Sequence, residues 1–359
     1  MSLQVLITAD PELPVPPPLY GGIERIIATL VDGLVARGHR VTLVAHAAST
    51  TSCEVIPYSS RVGRSTAGAA EQAALIARAT ASRRPDVVQS FSRLAALLPI
   101  LPMQVPKVMS YQRAITPGSV RWGRRLAGET LTFTACSAQM TGAVRTLAPW
   151  RIIHNGVPMD AFTPAASVPA DAPLMFLGRI EPIKGTHVAI EVARRADRPL
   201  VIAGTVASEH RAYFDRAIAP SVDGDRVRYV GPVDDRAKND WLGRCAALVM
   251  PIQWDEPFGI VMAEALACGT PVVAFERGAV PEVVDNGVTG FVCGDVAGMI
   301  AAVGRLHTID RQACRAAAEA RFSARSLVDA YEALYFELHD ARARGAQQPA
   351  MPGTAPRAS

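Results

Sequence analysis

Aromatic residues are scarce in this sequence, 6% of 359, and they do not alternate with basic residues. That excludes an aromatic stacking platform for nucleic acid, and no nucleic-acid-binding module is recognisable. Cysteine is equally sparse. Cys53, Cys136, Cys245, Cys268, Cys293 and Cys314 are scattered without a C-x-x-C pair or a metal-ligand spacing. Buried thiols in a reducing cytoplasm are therefore expected. No apolar run approaches the roughly 18 residues that span a bilayer; the longest, Leu94 to Val105, is broken by Pro99 and Pro102. The start, MSLQVLITAD, has no basic n-region and reads as a strand, so no export signal is expected. The dinucleotide fingerprint G-x-G-x-x-G is missing as well.

What is present is a hydrophobic content of 49% with 19% charged residues, the composition of a chain with a large core and room for two domains. Net charge is +4 but unevenly spread. Residues 1–165 hold 16 Lys and Arg against 9 Asp and Glu, a net of +7; the remainder holds 21 against 24, a net of −3. A basic first half suits an acidic partner, such as a phosphorylated acceptor or a membrane surface. Ordinary surface arginine explains it equally well.

The chain alternates strand and helix almost throughout, which predicts an α/β fold with parallel sheets. Gln4 to Ala9 is a strand, Gly21 and Gly22 open an amphipathic helix, and Val41 to Ala45 is the next strand. Further helices are expected at 69–82, 93–101 and 137–147, with strands at Val87 to Gln89, Lys107 to Tyr111 and Thr132 to Cys136. Residues 158–173 carry four prolines and mark a linker. The alternation then restarts, with a helix expected at 208–219 among others, and closes with the helix FSARSLVDAYEALYFELHDAR. These features divide the chain into a first domain over 1–160, a linker over 161–173, a second domain over 174–322, a final helix over 323–342 and a Pro-rich disordered tail over 343–359.

The most informative stretch is 253–295, read as a loop, a helix, a strand and a Gly-rich loop. Glu256 and Glu264 stand eight residues apart around Pro257 and Gly259, at the start of a helix apolar on most sides. The N–H groups of Phe258, Gly259 and Ile260 would be free to meet a phosphate at this positive helix end. The two carboxylates would then bind sugar hydroxyls. A helix cap and a surface ion pair are the plain alternative for two such glutamates, as a tight turn is for Gly21 and Gly22.

FLGRIEPIKG (176–185), EPFGIVMAEALACGTPVVA (256–274) and GAVPEVVDNGVTGFV (278–292), supported by YGGIER and IIHNGV, occur in an order and spacing that resemble glycosyltransferase family 4. The resemblance spans nearly the whole chain, to about residue 340. It implies a GT-B fold: two Rossmann-like domains facing across a cleft, with the C-terminal helix crossing back to the N-terminal domain. It implies a retaining enzyme using a nucleotide-diphosphate sugar. Arg179 and Lys184 would lie on the diphosphate, Glu256 on the donor sugar and Glu264 on the ribose. Gly21 and Gly22 would approach from the other domain, and loops after Gly204 and Val230 would meet the base. No cofactor is expected. No metal is expected either, because an Arg, a Lys and a helix N-terminus neutralise a leaving diphosphate. Gln112 stands where many members carry a His, and Gln89 and Phe91 also stand where His is frequent. Gln112 either positions the sugar through hydrogen bonds or marks weak or lost turnover. Arg113 and Asn155 are acceptor-side candidates, with a surface salt bridge as the plain alternative for Arg113. A nucleotide-sugar-binding protein without turnover, an epimerase and a phosphorylase are the competing functions. Location is expected to be cytoplasmic, with at most peripheral contact at the inner membrane surface, to which RWGRRL (121–126) would contribute.

Overall fold

The computed structural model describes residues 1–18, 21–59 and 66–347. Two all-parallel sheets organise the chain. The first contains β1 (Gln4–Thr8), β2 (Arg40–Ala45), β3 (Glu54–Pro57), β4 (Val87–Ser90), β5 (Lys107–Tyr111), β6 (Leu131–Ala135) and β7 (Trp150–Ile152), in the order β3-β2-β1-β4-β5-β6-β7. Helices α1 (Gly22–Ala36), α2 (Thr66–Arg83) and α3 (Pro117–Ala127) connect its strands. The second contains β8 (Leu174–Leu177), β9 (Leu200–Ala203), β10 (Val227–Gly231), β11 (Ala247–Met250), β12 (Val272–Phe275) and β13 (Gly290–Cys293), in the order β10-β9-β8-β11-β12-β13. Its helices are α4 (Thr186–Arg195), α5 (Arg211–Tyr213), α6 (Asp235–Arg244), α7 (Ile260–Ala267), α8 (Val280–Val283), α9 (Val296–Gly304) and α10 (Arg311–Arg321), and α11 (Ala324–Gln347) follows. In each sheet the strand order reverses beside the first strand, between β1 and β4 and between β8 and β11. The loops at the carboxyl ends of those strands border a crevice, where open α/β sheets take ligands.

The central strands are continuous apolar runs because helices cover both faces; β8, β9 and β11 are buried along nearly their whole length. Helix α11 crosses back to the first sheet. Leu327, Val328, Tyr331, Leu334 and Tyr335 join the core built on β1, β2 and α1. Each such side chain contributes about 1.5–3 kcal/mol by leaving water, so the second crossing is a structural commitment. The two crossings run side by side: Val157 N–H donates to the Phe322 carbonyl (2.8 Å) and Ala324 N–H to that of Val157 (2.8 Å).

Several expectations need correction. The segments 93–101 and 137–147 form 3-10 turns, Leu94–Ile100 and Gln139–Val144, the first containing Pro99. Residues 208–219 break into short 3-10, α and π turns ahead of Pro220. The stretch read as a Gly-rich loop contains α8 and the edge strand β13. Helix α11 continues to Gln347, through the expected start of the tail, because Ala341, Arg342, Ala343 and Arg344 are strong helix formers. Residues 348–359 of the tail, and Tyr20 of YGGIER, lie outside the described residues. All six cysteines are free thiols; Cys53 is half-buried and the others are buried.

Candidate active site

One cleft gathers most of the residues singled out in the sequence. Gly21, Gly22, Gln112 and Asn155 line it from the first sheet's side, and Arg179, Lys184, Gly204, Glu256, Phe258, Gly259, Ile260 and Glu264 from the second. Two helices begin in it. Gly21 is the N-cap of α1 and Gly259 that of α7, and neither helix start carries a side-chain cap. A Cβ on Gly22 would sit 3.9 Å from the Ile260 side chain, so the two positive helix ends face each other at close range.

Arg179 follows β8 and pairs with the buried Glu181 at 2.9 Å, which also faces His210 Nε2 at 3.3 Å. Lys184 Nζ meets Glu256 Oε2 at 2.5 Å, and the Trp254 indole donates to the same oxygen at 3.0 Å. The ammonium also lies 4.9 Å from the Trp254 ring centroid. The backbone of Glu256 is clasped by the following loop: Ala279 N–H donates to its carbonyl at 2.9 Å. Gly278 passes so close, at φ +54°, that a Cβ there would stand 2.3 Å from the Glu256 backbone, which requires glycine. This contact explains why EPFG and GAVPEVV occur together. Glu264, one turn into α7 and 4% exposed, is bonded to Lys238 of α6.

Gln112, just past β5, and Asn155, past β7, exchange two amide hydrogen bonds of 2.9 Å each. Arg113 is outside the cleft lining and pairs with Asp10 at 2.7 Å. Val230, in β10, is also outside the lining, with an exposed side chain; Pro232 and Val233 of the loop that follows line the cleft. Gln89 is fully buried, donating to Ser110 at 2.7 Å and accepting from Tyr335 of α11 at 3.0 Å. Phe91 packs edge-on against Tyr331. Both positions therefore anchor the crossing helix. One D-x-D spacing, Asp223-Gly224-Asp225, occurs before β10. Asp223 there accepts the N–H groups of Asp225 and Val227 and closes its own turn, outside the cleft lining.

Sequence reasoning missed Lys238, Trp254, Arg25 and Asp235, which also line the cleft, and Glu181 behind it. A lysine one turn into α6 follows Asp234 and Asp235, anionic partners within its own helix turn, so nothing in the sequence sets it apart.

Residues 20–161 match the family described as Glycosyltransferase Family 4, and residues 172–308 match Glycosyl transferases group 1. The glycogen synthase of Mycobacterium tuberculosis (strain ATCC 25618 / H37Rv) is 30% identical over 345 residues, covering 80% of this chain and 83% of that protein. The chain belongs to glycosyltransferase family 4. A D-inositol 3-phosphate glycosyltransferase of Mycolicibacterium smegmatis is 34% identical over 217 residues, 54% of this chain and 49% of the relative. Among solved structures, AviGT4, a glycosyltransferase involved in avilamycin A biosynthesis, superposes with a TM-score of 0.74 at 25% identity, covering 94% of this chain and 98% of that one. HepE of Anabaena, solved with UDP-glucose, gives a TM-score of 0.72 at 17% identity over 92% and 99%. The architecture is that of the GT-B glycosyltransferases these structures represent.

Proposed function

We propose that this family 4 glycosyltransferase transfers a sugar, with retention and without a metal or other cofactor, from a nucleoside-diphosphate sugar to an acceptor hydroxyl. The carrying observation is the convergence of two helix N-termini, Arg179 and Lys184 on one cleft that also presents Glu256 and Glu264. The bond from the anomeric carbon to the β-phosphate oxygen breaks, and negative charge collects on the departing diphosphate. Arg179, Lys184 and the N–H groups at the starts of α1 and α7 stabilise that charge. Glu256 holds the sugar hydroxyls and does not attack. The acceptor oxygen bonds to the anomeric carbon on the same face, and its proton passes to the departing phosphate oxygen. Glu264 accepts from the ribose hydroxyls, while Gly204, Pro232 and Val233 border the base. The solved complex of HepE with UDP-glucose supports a donor of this class.

A lipid-linked or phosphorylated acceptor would suit the basic first half. Arg121, Trp122 and Arg125 of α3 are exposed and offer a surface for peripheral contact with an anionic bilayer, although no described helix is long and apolar enough to cross one. A second reading, a nucleotide-sugar binder with weak turnover, is favoured by the engagement of Gln112 with Asn155. The test is incubation with a panel of nucleotide sugars in the presence of a chelator, with and without acceptors, following released nucleoside diphosphate. Turnover of one donor under chelation is expected. Binding of donors without any release would replace the transferase by the binder.

A further inference from the structure

Lys238 is buried in the cleft wall, 8% exposed. Its ammonium bonds to Glu264 Oε1, stands 3.1 Å from Asp235 Oδ1, and lies 5.5 Å from the centroid of the Phe162 ring. Asp235 in turn accepts from Arg25 of α1 at 2.6 Å. Glu264 thus ends a row of alternating charges from α7 through α6 to α1. A carboxylate has acceptor capacity beyond the one oxygen that Lys238 engages. An unpaired carboxylate this buried would be costly and would rotate or draw in water. The lysine therefore fixes which direction Glu264 presents to a ligand.

We propose that Lys238 is a positioning and specificity-determining residue: it orients Glu264 to read the ribose diol, so that the site selects ribonucleotide over 2′-deoxyribonucleotide donors. The proposal rests on the donor-site reading given above. A site built to hydrogen-bond a hydroxyl rejects the analogue lacking it, because its buried polar group is left without a partner. That rejection requires the carboxylate to be held. A carboxylate free to turn satisfies itself with water and discriminates little.

Calorimetric titration of the full chain with ADP, GDP and UDP, and with their 2′-deoxy counterparts, tests this. Wild type should bind its preferred ribonucleotide at least about tenfold tighter than the deoxy form. Lys238→Met keeps the apolar stem against Phe162 and removes the charge. It should weaken the ribonucleotide by about tenfold, leave the deoxy form nearly unchanged, and bring the two within about twofold. Lys238→Arg should restore most of the preference, and a thermal melt checks that each variant is folded. If Lys238→Met keeps the wild-type preference, or if wild type shows none, the assignment to Lys238 is overturned while the donor site stands. If neither ribo nor deoxy diphosphates bind wild type, the donor-site reading itself fails and takes this proposal with it.

Discussion

Lys184 and Glu256 form an ion pair at 2.5 Å, so substituting either changes two groups. Lys184→Ala removes a cation from the leaving diphosphate and leaves Glu256 with the Trp254 indole. Its kcat should fall by about two orders of magnitude with a smaller change in donor KM. Glu264→Ala removes a contact made equally before and during transfer, so donor KM should rise about tenfold with kcat largely kept. Steady-state kinetics on both variants checks the contrast, and unchanged constants in both would remove the site assignment. At this scale the sequence revealed Arg179, Lys184 and Glu256, which stand in Gly- or Pro-bounded loops, and Glu264 near the start of an apolar helix. It did not reveal Lys238, whose partner Glu264 stands on another helix, or Glu181, which is buried between Arg179 and His210. The partner that Arg113 takes, Asp10, was not legible because it lies about a hundred residues away in sequence.

Helix α11 was legible as a helix from the spacing of Leu327, Tyr331, Leu334 and Leu338, but its polar anchors were not. Tyr335 donates to Gln89 inside the core, so Tyr335→Phe should lower stability by about 1–2 kcal/mol through the unsatisfied amide oxygen. Where the crossings meet, a Cβ on Gly156 would stand 2.5 Å from the Ser323 carbonyl oxygen. Gly156→Ala should cost about 1–3 kcal/mol. Thermal denaturation reads both; a Tm equal to wild type would mean that the crossing tolerates the change. The elements that sequence missed were short or irregular. Strand β3 is a half-exposed edge strand bounded by Glu54 and Pro57, and β13 is an edge strand that opens on Gly290, so both lack the apolar run that marks the central strands. Helix α3 was passed over although Thr116 caps it and Pro117 opens it; its apolar positions are few and Trp122 is exposed.

Across the whole molecule, the two sheets are held together away from the cleft by Glu282. Its carboxylate accepts Ala138 N–H at 2.8 Å and Gln139 N–H at 2.7 Å, and faces His154 at 3.5 Å. Ser137 also donates to the Pro257 carbonyl at 2.7 Å. Burial alone would raise the Glu282 carboxyl, but His154 and the two backbone N–H groups outweigh it and hold it below its ordinary value of 4.5. The contact is thus fully present above 4.5 and is lost as pH falls through the lowered value. Small-angle scattering should show an unchanged radius of gyration down to that pH and an expansion below it. Glu282→Gln should be expanded already at pH 7; identical curves there would mean that this contact does not hold the halves together. One donor is expected to lie between both halves of the chain. A structure determined with the turned-over nucleotide sugar tests it most directly. The diphosphate is expected against Arg179, Lys184 and the starts of α1 and α7, the ribose on Glu264 and the sugar on Glu256. A nucleotide bound elsewhere, or one touching only the second sheet's loops, would contradict it.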